Sequence, residues 1–230
     1  MDADPVADAR ALVAERFPRA VAAFLGGGVL SARRTATSDL DIVVVIEGPP
    51  APFRESLHWR GWPVELFVHD RESITAYFAR DAAERKPSLA RMIAEGVTLL
   101  DRGLADAIRA EAGAVLAAGP AAPSPSELDW CRYGLTDLLD DLAGSTDDGE
   151  TAVICWTLWT RTAQLALLLT GNWLGGGKWL LRELRAADPA LAADMIAAIG
   201  SPERLTALAD RVLERAGGRR FDGFVASGQR

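Results

Sequence analysis

Histidine and cysteine are scarce in this chain, with two of each among 230 residues. Cys131 and Cys155 are far apart and have no histidine near them, so the ligand spacing of a zinc site is missing. Two buried thiols are the expected reading in place of a disulfide framework. His58 lies in one apolar run and His69 closes another, and both are expected to face solvent. An excess of positive charge is missing too, with 25 Lys and Arg against 32 Asp and Glu for a net charge of −7. A protein that grips long nucleic acid by its phosphates usually carries a basic face, so DNA or RNA is not expected as the main partner. Long hydrophobic runs are also lacking. No uninterrupted apolar stretch, Leu165 to Leu169 included, approaches the roughly 20 residues that cross a bilayer. The start of the sequence, MDADPVADARAL, is acidic and lacks the basic and apolar regions of a signal peptide. The expectation is a cytoplasmic protein with no membrane partner.

Disorder is excluded by what remains. The apolar fraction of 49% suffices for a real core, and 25% charged residues is ordinary for a folded protein. Residues 5–16 read as a helix, because Val6, Ala9, Val13 and Phe17 fall at helical spacing before Pro18. Val21 to Leu25 reads as a strand running into Gly26-Gly27-Gly28. Ile42 to Ile46 is a β-branched run of the kind found in buried strands. Arg54 to Arg60 and Trp62 to His69 flank Gly61 and predict an antiparallel hairpin. Helices are expected over 72–83 and 87–95, the second stopped by Gly96 in the left-handed region. A strand over 97–100 and a helix to Ala118 come next. The stretch from Gly119 to Pro125 is the best linker, and it separates domains at 1–118 and 126–230. The second has no convincing strand. Helices are expected there near 127–143, 150–170, 178–186, 189–199 and 202–216, with starts at Asp188 and Ser201. Trp156, Trp159, Trp173 and Trp179 are expected in its core rather than as a platform for a base.

The stretch from Leu25 to Val45, LGGGVLSARRTATSDLDIVVV, carries the chemistry. A glycine turn comes after a strand, and Ser38-Asp39-Leu40-Asp41 opens the next one. Side chains alternate along a strand, so Asp39 and Asp41 point the same way. Two carboxylates beside an apolar run cannot both ionise cheaply without a cation between them. Mg²⁺ suits such a pocket, because it keeps waters and shares its shell with phosphates. Gly27 and Gly28 let the backbone approach a ligand, and a helix start after them would offer N–H groups to phosphate oxygens. Arg33 and Arg34 could reach the same phosphates or simply lie in solvent. Glu65 is a lone carboxylate in an apolar strand, on the face opposite Val64, Leu66 and Val68. If that strand pairs with the strand of Asp39 and Asp41, three carboxylates converge, enough for two metals roughly 3.5–4 Å apart.

Gly27-Gly28 followed by Asp39-Leu40-Asp41 resembles the signature of the DNA polymerase β-like nucleotidyltransferase superfamily. Thr35-Ala36-Thr37-Ser38-Asp39-Leu40-Asp41 looks especially like its small bacterial members, among them aminoglycoside nucleotidyltransferases. The resemblance implies an α+β fold: a mixed sheet with flanking helices, followed by a C-terminal all-α helical bundle. Trp173-Leu174-Gly175-Gly176-Gly177-Lys178-Trp179 is the most recognisable piece of that bundle. It further implies Asp39, Asp41 and Glu65 as catalytic metal ligands and Gly27, Gly28 and Ser38 as nucleotide contacts. Many relatives have Ser where this chain has Gly28 and Gly where it has Ala32, which removes one phosphate donor.

The implied activity is Mg²⁺-dependent transfer of a nucleoside monophosphate, AMP from ATP first, to a hydroxyl of a small molecule such as an aminoglycoside-like antibiotic, with release of pyrophosphate. The acceptor is expected in a cleft between the halves. Lys178 at a helix start is unfavourable beside the helix dipole unless an anion such as a triphosphate faces it. Asp137, Asp140 and Asp141 are candidates for the base that takes the hydroxyl proton, set against an ordinary solvated helix face. Two other readings stand beside this one: a regulatory nucleotidyltransferase of toxin–antitoxin type that modifies a protein, and a non-catalytic nucleotide-binding module. HEPN-type ribonuclease activity is not expected, since the second half has no histidine.

Overall fold

The computed structural model describes residues 4–32 and 34–226. It divides at the Gly119–Pro120 boundary into two compact units. The first is α+β. Its helix α1 (Pro5–Arg16) starts at Asp4, whose carboxylate accepts from the N–H groups of Val6 and Ala7. Strands β1 (Ala22–Gly26), β2 (Leu40–Val45), β3 (Phe53–Trp59), β4 (Trp62–His69) and β5 (Val97–Asp101) form one sheet in the order β3-β4-β2-β1-β5. The sheet is mixed: β2 runs parallel to β4, and the other pairings are antiparallel. β3 and β4 are joined by Arg60 and Gly61, both at positive φ (49° and 88°), the two-residue turn whose twist matches a hairpin.

The alternation along these strands sends two sets of side chains to two layers. Leu40, Ile42 and Val44 of β2 and Val64, Leu66 and Val68 of β4 pack with Ala9, Leu12 and Val13 of α1. Val43 and Val45 point the other way, with Phe24 of β1. There they meet α2 (Arg71–Ala83), α3 (Ser88–Glu95) and α4 (Ala105–Ala118). Arg109 of α4 ties this layer to β5, donating to the carbonyls of Ala94 and Gly96 and to Thr98 Oγ1.

Gly96 corrects the reading of a left-handed stop, because its φ is −76°. Its glycine identity is steric: a Cβ there would stand 2.2 Å from the Met92 carbonyl oxygen and 2.5 Å from that of Leu25. His69 corrects the expectation of a solvent-facing residue, for it is 3% exposed at the end of β4. Its Nδ1 lies 3.3 Å from Ser73 Oγ, and its ring meets Tyr77 edge-on at 4.7 Å.

The second unit is all helical among its described residues. It comprises α5 (Pro125–Gly144), α6 (Asp148–Leu169), α7 (Lys178–Ala187), α8 (Pro189–Ala197) and α9 (Pro202–Arg215). α5 opens with a capping box between Ser124 and Glu127. Asp188 caps α8 as expected, whereas Ser201 makes no capping bond to α9. Leu158, Trp159, Ala163 and Leu167 of α6 form the centre of this unit's core. By length and composition α6 also meets the requirement for crossing a membrane, although no unbroken apolar run announces it. Cys131 and Cys155 are free thiols and only partly buried, and burial together with nearby Glu203 pushes the Cys155 thiol up. Trp159 and Trp173 are in the core, but Trp130 is 54% and Trp156 70% exposed, so the expectation of a core role fails at Trp156.

Burial holds the His69 imidazole below its ordinary value of 6.5, a shift that Asp70 and Asp81 only partly oppose. The native state therefore keeps it neutral while the unfolded chain takes up a proton. The stability this contributes is present above about pH 6.5 and is lost as the pH falls through the lowered native value. Asp70 and Asp101 add a second, lower window. The backbone N–H of Ser73 holds Asp70 below 3.8, and those of Ala105, Gly103 and Leu104 do the same for Asp101. Thermal melts followed from about pH 8 to about pH 5 should show a fall that His69→Gln flattens. Parallel curves for wild type and variant would remove His69 as the cause.

Candidate metal centre

The candidate site lies on the sheet face that carries Val43 and Phe67, at the start of β2. The parallel register pairs Asp41 directly with Glu65. Asp39 stands one residue before β2, two positions from Asp41 and so on the same face. One carboxylate oxygen from each of Asp39, Asp41 and Glu65 lies within 4.8 Å of the others, and all three residues are half-buried. β4 is an interior strand of the sheet, so Glu65 is not an edge-strand side chain.

Three anions this close repel by on the order of 3–4 kcal/mol per pair at the effective dielectric of a protein surface. Opposite ligands of Mg²⁺ stand about 4.2 Å apart, twice a 2.1 Å bond. Adjacent ligands stand about 3.0 Å apart, so the three oxygens, which lie within 4.8 Å of one another, would draw together to close on an ion. The donor set, three carboxylates and nothing softer, fits Mg²⁺ or Mn²⁺.

Gly27 completes the fit. β1 pairs with β2 so that Gly26 faces Asp41, and the chain then turns over that carboxylate. A Cβ at Gly27 would stand 2.1 Å from Asp41 Oδ2, and its φ of 82° is itself a glycine conformation. Gly27 therefore makes room for Asp41, a role beyond the phosphate contact its sequence position implies. Gly28 is different, since nothing lies within 4 Å of a Cβ built there. It begins a single 3-10 turn, Gly28–Leu30, in place of the expected helix start.

The other expected contacts spread out. Ser38 Oγ accepts from the Thr35 N–H at 2.9 Å and so closes a local turn. Arg34 lies over the Trp62 ring at 4.8 Å, and Arg33 is outside the described residues. Lys178 belongs to the second unit, exposed at the first position of α7. The glycines before it have a packing reason of their own, because a Cβ at Gly175 would run into the backbone of Trp179 and Leu180 at 2.3–2.6 Å. Asp137, Asp140 and Asp141 are all exposed on α5, and Asp140 pairs with Arg219 at 3.3 Å.

Three β3 neighbours of the trio were not read as part of the site. Arg54 donates to Glu65 Oε2 and lies over the Phe67 ring at 4.7 Å. His58 and Ser56 of β3, with Asp39 and Glu65, line a surface depression. Counting back from the Arg60–Gly61 turn would have found them, because that register places Ser56 opposite Glu65.

No family model matches the chain, and neither does any curated protein. Among solved structures, a nucleotidyltransferase-like protein from Exiguobacterium sibiricum 255-15 is 13% identical, with a TM-score of 0.46 over 93% of this chain and 74% of that one. A likeness this distant leaves the chemistry to the carboxylates themselves.

Two outcomes are expected of this centre. Asp39→Asn and Asp41→Asn should each weaken Mn²⁺ binding, read by calorimetry, by at least about tenfold. Each should leave the melting temperature in chelator unchanged or higher, because a like charge is gone. Gly27→Ala should lower stability by about 1–3 kcal/mol through its left-handed backbone and also impair Mn²⁺ binding by displacing Asp41. Gly28→Ala, placed in open space, should do neither, and equal behaviour of the two alanine variants would refute the close-packing account.

Proposed function

We propose that this chain is a metal-dependent nucleotidyltransferase. The observation that carries the reading is the convergence of Asp39, Asp41 and Glu65 within 4.8 Å beneath a glycine turn. Asp39, Asp41 and Glu65 would hold Mg²⁺, which when bound supplies Lewis-acid stabilisation to the phosphates of a nucleoside triphosphate. Gly27 and Gly28 are the proposed backbone contacts to those phosphates, and Lys178 of the second unit is a separate candidate nucleotide contact. ATP is the proposed donor. The acceptor is a small molecule bearing a hydroxyl, with an aminoglycoside-like antibiotic as the first class to try. The hydroxyl loses its proton to a base or to solvent, its oxygen forms the new bond to the α-phosphorus, the bond from that phosphorus to the oxygen bridging to the β-phosphate breaks, and pyrophosphate leaves.

A protein acceptor is the second reading. Trp130 and Trp156, at 54% and 70% exposure, favour it, since large exposed aromatics are typical of protein interfaces.

Pyrophosphate release should be measured with Mg²⁺ and each NTP against aminoglycosides, other hydroxylated antibiotics and bacterial proteins. Turnover that disappears in Asp41→Asn supports the reading; release that persists in that variant overturns it. Lys178→Ala should slow turnover or weaken ATP binding by ~10²-fold, the size expected for one charged contact to reacting phosphates. Its melting temperature without nucleotide should not move, because an exposed lysine contributes little to folding. Unchanged kinetics and an unchanged ATP-induced melting shift would leave the nucleotide to the first unit alone.

A further inference from the structure

Arg54 lies on the edge strand β3, and nothing in the sequence motif includes it. The register of the hairpin decides where its side chain goes. With Trp59 paired to Trp62 across the two-residue turn, Ser56 falls opposite Glu65 and Arg54 opposite Phe67. Arg54, Ser56, Glu65 and Phe67 therefore share one sheet face. Ser56 is small, which leaves the space above it open for the Arg54 side chain to cross diagonally to Glu65.

Two contacts fix the guanidinium there. It donates through one terminal nitrogen to Glu65 Oε2, and its Cζ lies over the Phe67 ring, 4.7 Å from the centroid. The Arg54 side chain is 58% exposed and that of Glu65 31%. An ion pair so open contributes little to folding. Its consequence is directional, because a carboxylate held by one oxygen has its other oxygen committed to one side. For Glu65, the neighbours on β2 are Asp41 and, just before it, Asp39.

We propose that Arg54 is the positioning residue of the metal centre. By donating to Oε2 of Glu65 while it rests on the Phe67 ring, it orients the carboxylate so that Oε1 completes the ligand set begun by Asp39 and Asp41. Phe67 serves as the platform that keeps the guanidinium from swinging to solvent. This rests on the metal-dependent reading above. A cation beside a metal ligand also repels the metal, so orientation and charge predict opposite signs. Orientation governs here, since partners that hold a ligand from outside the coordination shell typically strengthen metal affinity 10–100-fold.

The test is Mn²⁺ affinity of the full chain without nucleotide, read from free Mn²⁺ by electron paramagnetic resonance. Arg54→Ala is expected to weaken binding about tenfold with no change in melting temperature in chelator. Arg54→Lys should recover part of the loss, because it keeps a cationic donor at that position but not the guanidinium over the ring. Phe67→Leu should shift affinity in the same direction as Arg54→Ala, and to a smaller extent. Unchanged or tighter binding in Arg54→Ala overturns the positioning role while the metal centre stands. A wild-type chain that binds no Mn²⁺ overturns both, and that outcome is distinguished by the wild-type measurement alone.

Discussion

Everything at the candidate centre depends on the parallel pairing of β2 with β4. A strand contributes side chains to a face at every second residue, so β2 alone could offer only Asp39 and Asp41. The register that sets Asp41 against Glu65 adds the third carboxylate from a strand more than twenty positions along the chain. A one-residue slip would send Glu65 to the α1 layer and bring Val64 into the site. That slip is prevented by the core, because Val64, Leu66 and Val68 are buried on the α1 side together with Leu40, Ile42 and Val44. The apolar residues thus decide where the charged ones go.

Repulsion within the trio is tolerated because the frame around it is tight. Gly26 lets Met92 of α3 close on β1, where a Cβ would stand 2.9 Å from that of Met92. Gly27 folds over Asp41, and Gly96 lets the end of α3 meet β1. Each of these glycines removes a side chain where two pieces of backbone or a carboxylate must approach. The cost of fixing flexible residues is met by this close packing. On the open flank, the Arg54 guanidinium of the edge strand bonds Glu65 and lies over the Phe67 ring of β4.

Much of the fold was legible residue by residue. Helical spacing at Val6, Ala9 and Val13, the β-branched run from Ile42, and the Gly61 turn each name an element whose observed bounds match or differ by at most two residues. Asp39 and Asp41 were legible as a pair because they stand two residues apart where a strand begins. His69 was not, since the residue that ends an apolar run can as easily be exposed as buried, and only the packing of α2 over it decides. Trp156 escaped in the opposite direction. Its helical phase next to Trp159 reads as core, yet its ring stacks on Trp159 from the outside at 6.5 Å.

The sequence by itself determined most of the elements and the shared face of Asp39 and Asp41. These arise from local periodicity, which a chain carries whatever its neighbours are. Only the tertiary structure decided that Glu65 joins the aspartates and that Gly27 makes room for a carboxylate. Each of those is a contact between segments distant in sequence. It is fixed by sheet register and steric fit, and neither leaves a mark on the spacing of residues within a single strand.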